Sequence, residues 1–151
     1  MPATVDGSAK MSFSTCVMVG GAVGTLARYV VSTWALPISR GLPWSTILIN
    51  VTGSFVIGLF GTLTLASGRF PASDNLRLFV MVGLCGGFTT FSSFSLQTLD
   101  LMRCGAMLRA SFNIVLSLAL RVGAVALGHV VAARFANNTV PIAQAAIEEE
   151  G

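Results

Sequence analysis

Residues 83–95 read Gly-Leu-Cys-Gly-Gly-Phe-Thr-Thr-Phe-Ser-Ser-Phe-Ser. They lie inside an apolar run over about 76–101, long enough to cross a bilayer, for which about 20 mainly apolar residues suffice. Consecutive glycines destabilise a helix, and serine and threonine hydroxyls compete for its backbone hydrogen bonds. Gly86 and Gly87, followed by Thr89, Thr90, Ser92, Ser93 and Ser95, therefore predict a helix broken near its middle, around residues 86–90. Non-helical backbone at membrane depth persists only where protein buries it or water lines it. Carbonyls released at such a break can hold a cation, as discontinuous helices do in transporters. Phe88, Phe91 and Phe94 recur every third residue and lie near one face, with Ser92 and Ser95 on a neighbouring one. Two readings stay open here. In one, the rings pack and the hydroxyls bond to carbonyls. In the other, the partly positive ring edges face a small anion, and hydroxyls and amides add directed donors.

Three more runs of spanning length flank this one, over about 12–36, 44–67 and 108–135. The connections 37–43, 68–75 (GRFPASDN) and 102–107 are too short for a domain outside the membrane. The first run is too long for a cleaved signal peptide and carries Arg28. The expected organisation is a flexible tail over 1–11, a four-helix domain over 12–135 and a flexible tail over 136–151. Composition agrees. Of the 151 residues, 54% are hydrophobic and only 10% charged, against about 25% in soluble domains. The mean hydropathy is +0.80. A soluble enzyme, a disordered chain and a nucleic-acid binder are excluded on these grounds. The class is an all-α membrane protein with four transmembrane helices.

The six acids are Asp6, Asp74, Asp100 and Glu148 to Glu150, none of them at the middle of an apolar run. A proton-driven transporter or cation pump usually needs a membrane carboxylate, so that class is weakened. Cys16, Cys85 and Cys104 are odd in number, far apart and form no CxxC; they read as small apolar fillers. The short flanks carry Lys10, Arg69, Arg77 and Arg134 on one side of the membrane and Arg40, Arg103 and Arg109 on the other. Either one arginine sets the topology, or the chain inserts both ways and pairs as an antiparallel dual-topology dimer. Gly20 and Gly24 form a GxxxG, as do Gly83 and Gly87, so the first and third helices should cross other helices closely. Asn50, early in the second run, is either a donor to a ligand or a helix–helix hydrogen bond. The same alternatives hold for Asn113 and Ser117, four residues apart on one face of the fourth run.

Three blocks together resemble the Fluc family of fluoride channels, also called the CrcB family. They are GGAVGTLARY (residues 20–29), INVTGSFVIG (49–58) and GLCGGFTTFSSFS (83–95). The likeness covers nearly the whole chain apart from its tails, and the last block is the most specific. It implies a passive fluoride channel, not an enzyme, that lowers cytoplasmic fluoride. The protein would be an antiparallel homodimer in the inner (cytoplasmic) membrane with two fluoride pathways. It implies a structural Na+ at the dimer centre, held by the backbone carbonyls of Gly86 and Thr89 of both subunits. The pathway would be lined by Phe91 and Phe94, by Ser92 and Ser93 (many relatives have threonine at the second of these), by Asn50, and in the fourth helix by Ser117. Arg28 matches the first-helix arginine near a vestibule.

Arg121, near the middle of the fourth run, departs from the family pattern, in which that position is apolar or small. An arginine at mid-membrane costs about 2.5–3.5 kcal/mol on insertion scales, so it should face protein or water. It reads either as an interface residue or as an added positive charge near the anion path. A third reading is a chain that prefers a paralogous subunit as its partner. His129 reads as a packed interface residue. Two other functions compete. A small dual-topology multidrug exporter fits the length and helix count but lacks its carboxylate. A non-transporting assembly subunit is motivated by Arg121 alone. No Ser/His/Asp set, carboxylate pair or metal spacing supports catalysis.

Overall fold

Four helices in the computed structural model are long and apolar enough to cross a membrane: Ser12–Trp34, Trp44–Leu63, Asp74–Arg103 and Met107–Phe135. The structure describes residues 7–39, 41–64, 70 and 72–136, with 7–11 and 136 described by backbone alone. Within these, regular structure is entirely helical. Helix α1 (Gly7–Trp34) leads through a 3₁₀ turn (Leu36–Ile38) to α2 (Trp44–Leu63). The third span is built from α3 (Asp74–Arg77), a π-helical stretch (Leu78–Cys85), α4 (Gly86–Phe88) and α5 (Phe91–Arg103). Helix α6 (Met107–Ala136) is the fourth. Of the expected tails, residues 1–6 and 137–151 lie outside the described residues, as do Arg40, Arg69 and the end of the second run (65–67), while residues 7–11 and 136 continue α1 and α6 as helix.

Local chemistry sets the ends. Pro37 sits in the first positions of the 3₁₀ turn, where a missing N–H costs nothing. Helix α1 therefore stops at Trp34, short of the expected residue 36. The third span starts two residues earlier than its apolar run because Ser73 caps it, accepting the Leu76 N–H at 3.4 Å with Asp74 in the first turn. It ends at Gly105, whose φ of 73° only glycine adopts without strain. The Gly105 N–H donates to the Met102 carbonyl and the Ala106 N–H to that of Leu101, a Schellman closure that lets α6 begin at Met107.

Without water to drive association, membrane helices hold together where small residues let backbones touch. Two such seams organise the chain. The GxxxG of α1 faces that of the third span: a Cβ on Gly20 would lie 2.5 Å from the Phe79 carbonyl, and one on Gly83 would lie 3.0 Å from Gly20 Cα. The second seam joins α2 to α6, where Gly58 lies against the Val125 carbonyl and Gly128 against that of Phe55. Thr62 and His129 extend it. The Thr62 hydroxyl donates to the Gly58 carbonyl at 2.8 Å, so it can only accept from His129 Nδ1, 2.9 Å away. That bond places the His129 proton on Nδ1 and makes His129 an interface residue, as the sequence suggested.

Candidate functional site in the third span

Gly86 keeps helical dihedrals (φ −64°, ψ −38°). Within the stretch 86–90 where a break is expected, the two glycines themselves stay helical. Gly87 is small for another reason: the Gly21 carbonyl of α1 sits 2.5 Å from where its Cβ would be. Helical geometry continues through Phe88 and is lost at Thr89 (φ −75°, ψ 157°) and Thr90 (φ −151°, ψ 121°), both extended.

Asn50 holds this segment. It is 3% exposed, and its side chain reaches across from α2. Its Oδ1 accepts the Thr90 N–H at 2.8 Å, and its Nδ2 donates to the Thr90 carbonyl at 3.1 Å and to the Thr46 carbonyl at 2.9 Å. One amide thus satisfies both peptide groups of a residue that has left the helical ladder, as backbone at membrane depth requires. Gly53, one turn further along α2, leaves room for the Thr89 methyl.

Thr90 then caps α5. Its Oγ1 accepts the Ser93 N–H at 3.2 Å and donates to Ser93 Oγ at 3.2 Å. Ser92 Oγ lies 3.1 Å from the same oxygen. With the single Thr90 proton given to Ser93, the Ser92 hydroxyl donates to Thr90 and the Ser93 proton is directed onward. The carbonyls of Gly86 and Thr89 lose their usual partners in consequence. In an unbroken helix they would receive the N–H groups of Thr90 and Ser93, and both of those are bound elsewhere. Among the described residues no group of three or more His, Cys, Asp or Glu could hold a metal ion, so a cation here would have to use such carbonyls.

Phe91 and Phe94 form a tilted pair, ring centroids 5.6 Å apart at 45°. Phe91 is 72% exposed from the single chain, whereas Phe94 is half-buried. The Arg121 guanidinium carbon lies 4.8 Å from the Phe94 ring centre. Asn113 and Ser117 are enclosed, at 0% and 1% exposure. Asn113 Nδ2 donates to Thr98 Oγ1 at 2.9 Å, and the Ser117 hydroxyl lies 3.4 Å from Asn113 Oδ1. Arg28 is half-buried on α1. The third span and Asn50 thus come together, Arg121 joins them at Phe94, and Asn113 and Ser117 form a separate sealed group.

Two residues escaped the sequence reading as site members. Thr90 is the hub of three hydroxyls, and its signal is a threonine placed where a helix restarts. Thr98 links the Phe94 carbonyl, 2.7 Å away, to Asn113; its only signal was a polar residue four positions after a ring.

Residues 15–129 match the family described as "CrcB-like protein, Camphor Resistance (CrcB)". The chain belongs to the CrcB family. A relative from Methylobacterium radiotolerans, "Fluoride-specific ion channel FluC", is 73% identical over 143 residues, 93% of this chain and all of that protein. One of the same name from Gluconobacter oxydans is 66% identical over 93% of this chain and 99% of its own length. A third, from Methylocella silvestris, is 59% identical over 77% and 89%. As a CrcB chain the molecule is a multi-pass membrane protein, and its break, rings and hydroxyls lie within the matched region.

Proposed function

We propose that this CrcB chain is a fluoride-specific channel, passive and not an enzyme, which lowers cytoplasmic fluoride across an inner (cytoplasmic) membrane. The observation that carries the reading is the Asn50-clamped interruption of the third span. Directly after it come two phenylalanines on one face and the Ser93 hydroxyl directed onward. Fluoride is small and strongly hydrated, so a pore must replace its shell with donors. Ring edges, the Ser92 and Ser93 hydroxyls and dipoles supply partial positive charge without a mobile carrier. No carboxylate need take part, which suits passive flow. The high identity to three proteins named fluoride channels supports the same assignment. Arg28 would shape an entrance, and Ser117, enclosed within the single chain, would reach the fourth-helix side of the path in the assembled dimer.

The functional unit in this reading is an antiparallel homodimer of the 12–135 domain. The nearly balanced basic flanks support two-way insertion. Phe91, Ser92 and Gly86 are open to the outside of one chain, so a second copy would complete the walls. A structural Na+ fits the residues present, because the carbonyls of Gly86 and Thr89 have lost their helical N–H partners in a region without ionisable ligands. Bound there, it would supply a fixed positive charge and tie two interrupted helices together. The chain's own residues do the rest: Asn50 fixes the interruption, and Thr90 sets the start of α5.

The test is efflux from liposomes carrying the purified chain alone. Fluoride-loaded vesicles should discharge under an imposed electrical driving force while chloride-loaded ones stay sealed. Vesicles that retain fluoride would overturn the assignment.

A further inference from the structure

We propose that Arg121 forms an anion-binding site at mid-membrane, seated on Phe94, and that its occupant is the conducted fluoride. The inference rests on the channel reading above. Arg121 is fourteen residues from the start of a thirty-residue helix, which places it about 21 Å along α6. Its Nε and Nη2 are buried and have no hydrogen-bond partner among the described residues. Arg121 is half-buried as a whole, but two buried nitrogens with idle donors are costly unless something accepts from them. Among the described residues no carboxylate serves the purpose: Asp74 and Asp100 are exposed and make no ion pair with Arg121.

What the chain does offer is a ring face. Phe94 presents its negative face to the guanidinium at 4.8 Å, which offsets part of the charge from one side. It satisfies no N–H, because the contact is to the face. The planar fork points the Nε and Nη2 N–H groups to the same side, so a single small anion can accept from both. The cation on the face of Phe94 also draws electron density from the ring and makes its edge a better neighbour for an anion. Arg121 therefore raises anion affinity twice, by its own donors and through Phe94. The expected consequence is a path that fills at low fluoride and passes ions more slowly once filled, since conduction needs sites weak enough to leave.

The test compares wild type with Arg121→Met, which keeps length and apolar bulk, and Arg121→Lys, which keeps charge without the fork. The purified proteins are melted in detergent with sodium fluoride titrated against sodium chloride at fixed total sodium. Wild type should gain thermal stability with fluoride, and Arg121→Met should need about tenfold more fluoride for the same rise, the loss expected for one charge-assisted hydrogen-bond site. Arg121→Lys should fall between them. In liposomes the Arg121→Met efflux should half-saturate at about tenfold higher fluoride, with a higher maximal rate. Identical titrations for wild type and Arg121→Met overturn the proposal. So does a variant that runs as a monomer and passes nothing, because Arg121 would then be pairing with a group on a second copy. Fluoride-dependent stabilisation in a wild type that passes no fluoride keeps the site and removes the channel reading. Normal efflux with identical titrations does the reverse.

Discussion

Asn113, Ser117 and Arg121 follow one another four residues apart on one face of α6, yet they end in opposite states. The first two close a circuit. The Ser117 hydroxyl meets Asn113, Asn113 donates to Thr98, and Thr98 donates to the Phe94 carbonyl, all enclosed within one chain. One turn on, Arg121 has a ring against it and two nitrogens with no acceptor. The difference separates two uses of polarity in a membrane. Groups tied off within the chain hold helices together, where each hydrogen bond contributes about 0.6 kcal/mol on average. Groups left open require a ligand, a second copy or water. Asn50 belongs with the closed circuit, because both its donors go to the Thr46 and Thr90 carbonyls and its oxygen takes the Thr90 N–H.

The harshest test of the comparison is to open the closed group with most at stake. Asn50→Ala leaves the Thr90 N–H and carbonyl without partners at membrane depth, at about 1–3 kcal/mol each. The melting temperature in detergent should fall sharply and fluoride efflux should drop by about a hundredfold or more. Asn50→Asp keeps the acceptor for the Thr90 N–H but, when ionised, has no donor for either carbonyl, so it should lie between. An Asn50→Ala protein that melts and conducts like wild type would show that the clamp is not needed.

The open side is probed by the rings. Phe91→Ile and Phe94→Ile each remove an aromatic edge and dissolve the tilted pair, an interaction of about 0.5–1.5 kcal/mol beyond buried area. Efflux should slow by about tenfold in each with the oligomer intact on a sizing column. The two should differ in stability. Phe94→Ile also exposes Arg121, whereas Phe91, 72% exposed in the single chain, is replaced without a cavity in that chain. Unchanged efflux in both variants would remove the rings from the pathway.

The four spans were legible in the sequence because membrane-spanning length is a count of apolar residues, and the glycine seams because GxxxG has a geometric meaning. The glycine pair misled for the same reason. Gly86 and Gly87 read as helix breakers, but Gly87 lies against the Gly21 carbonyl of α1, and a seam to a distant segment is not written in local propensity. The interruption falls in the hydroxyl half of the expected stretch 86–90, at Thr89 and Thr90, stabilised by an asparagine forty positions earlier. Asn50 was recognisable as important, whereas its partner was not, since no spacing rule links α2 to the third span. Arg121 was visible as out of place from its position alone. That Phe94 receives it depended on how α5 meets α6. Thr98 escaped altogether, because a lone threonine facing a neighbouring helix looks like any other.

The smallest effects fall within the closed circuit and set its scale. Thr98→Val keeps the shape of the side chain but deprives Asn113 Nδ2 of its acceptor. Stability should drop by about 1 kcal/mol, near the upper part of the range measured for hydrogen bonds between membrane helices. Ser117→Ala removes a longer contact of 3.4 Å and leaves Asn113 Nδ2 bonded to Thr98. Its cost should be about 0.5 kcal/mol or less, read as a small shift in the detergent melt. Efflux separates the two uses of polarity at this same residue. If Ser117 only binds helices together, the fluoride rate of Ser117→Ala stays at the wild-type value. If its hydroxyl also lines the path in the assembled dimer, the rate falls by more than the stability loss accounts for, and Ser117 moves from the closed group to the open one beside Arg121.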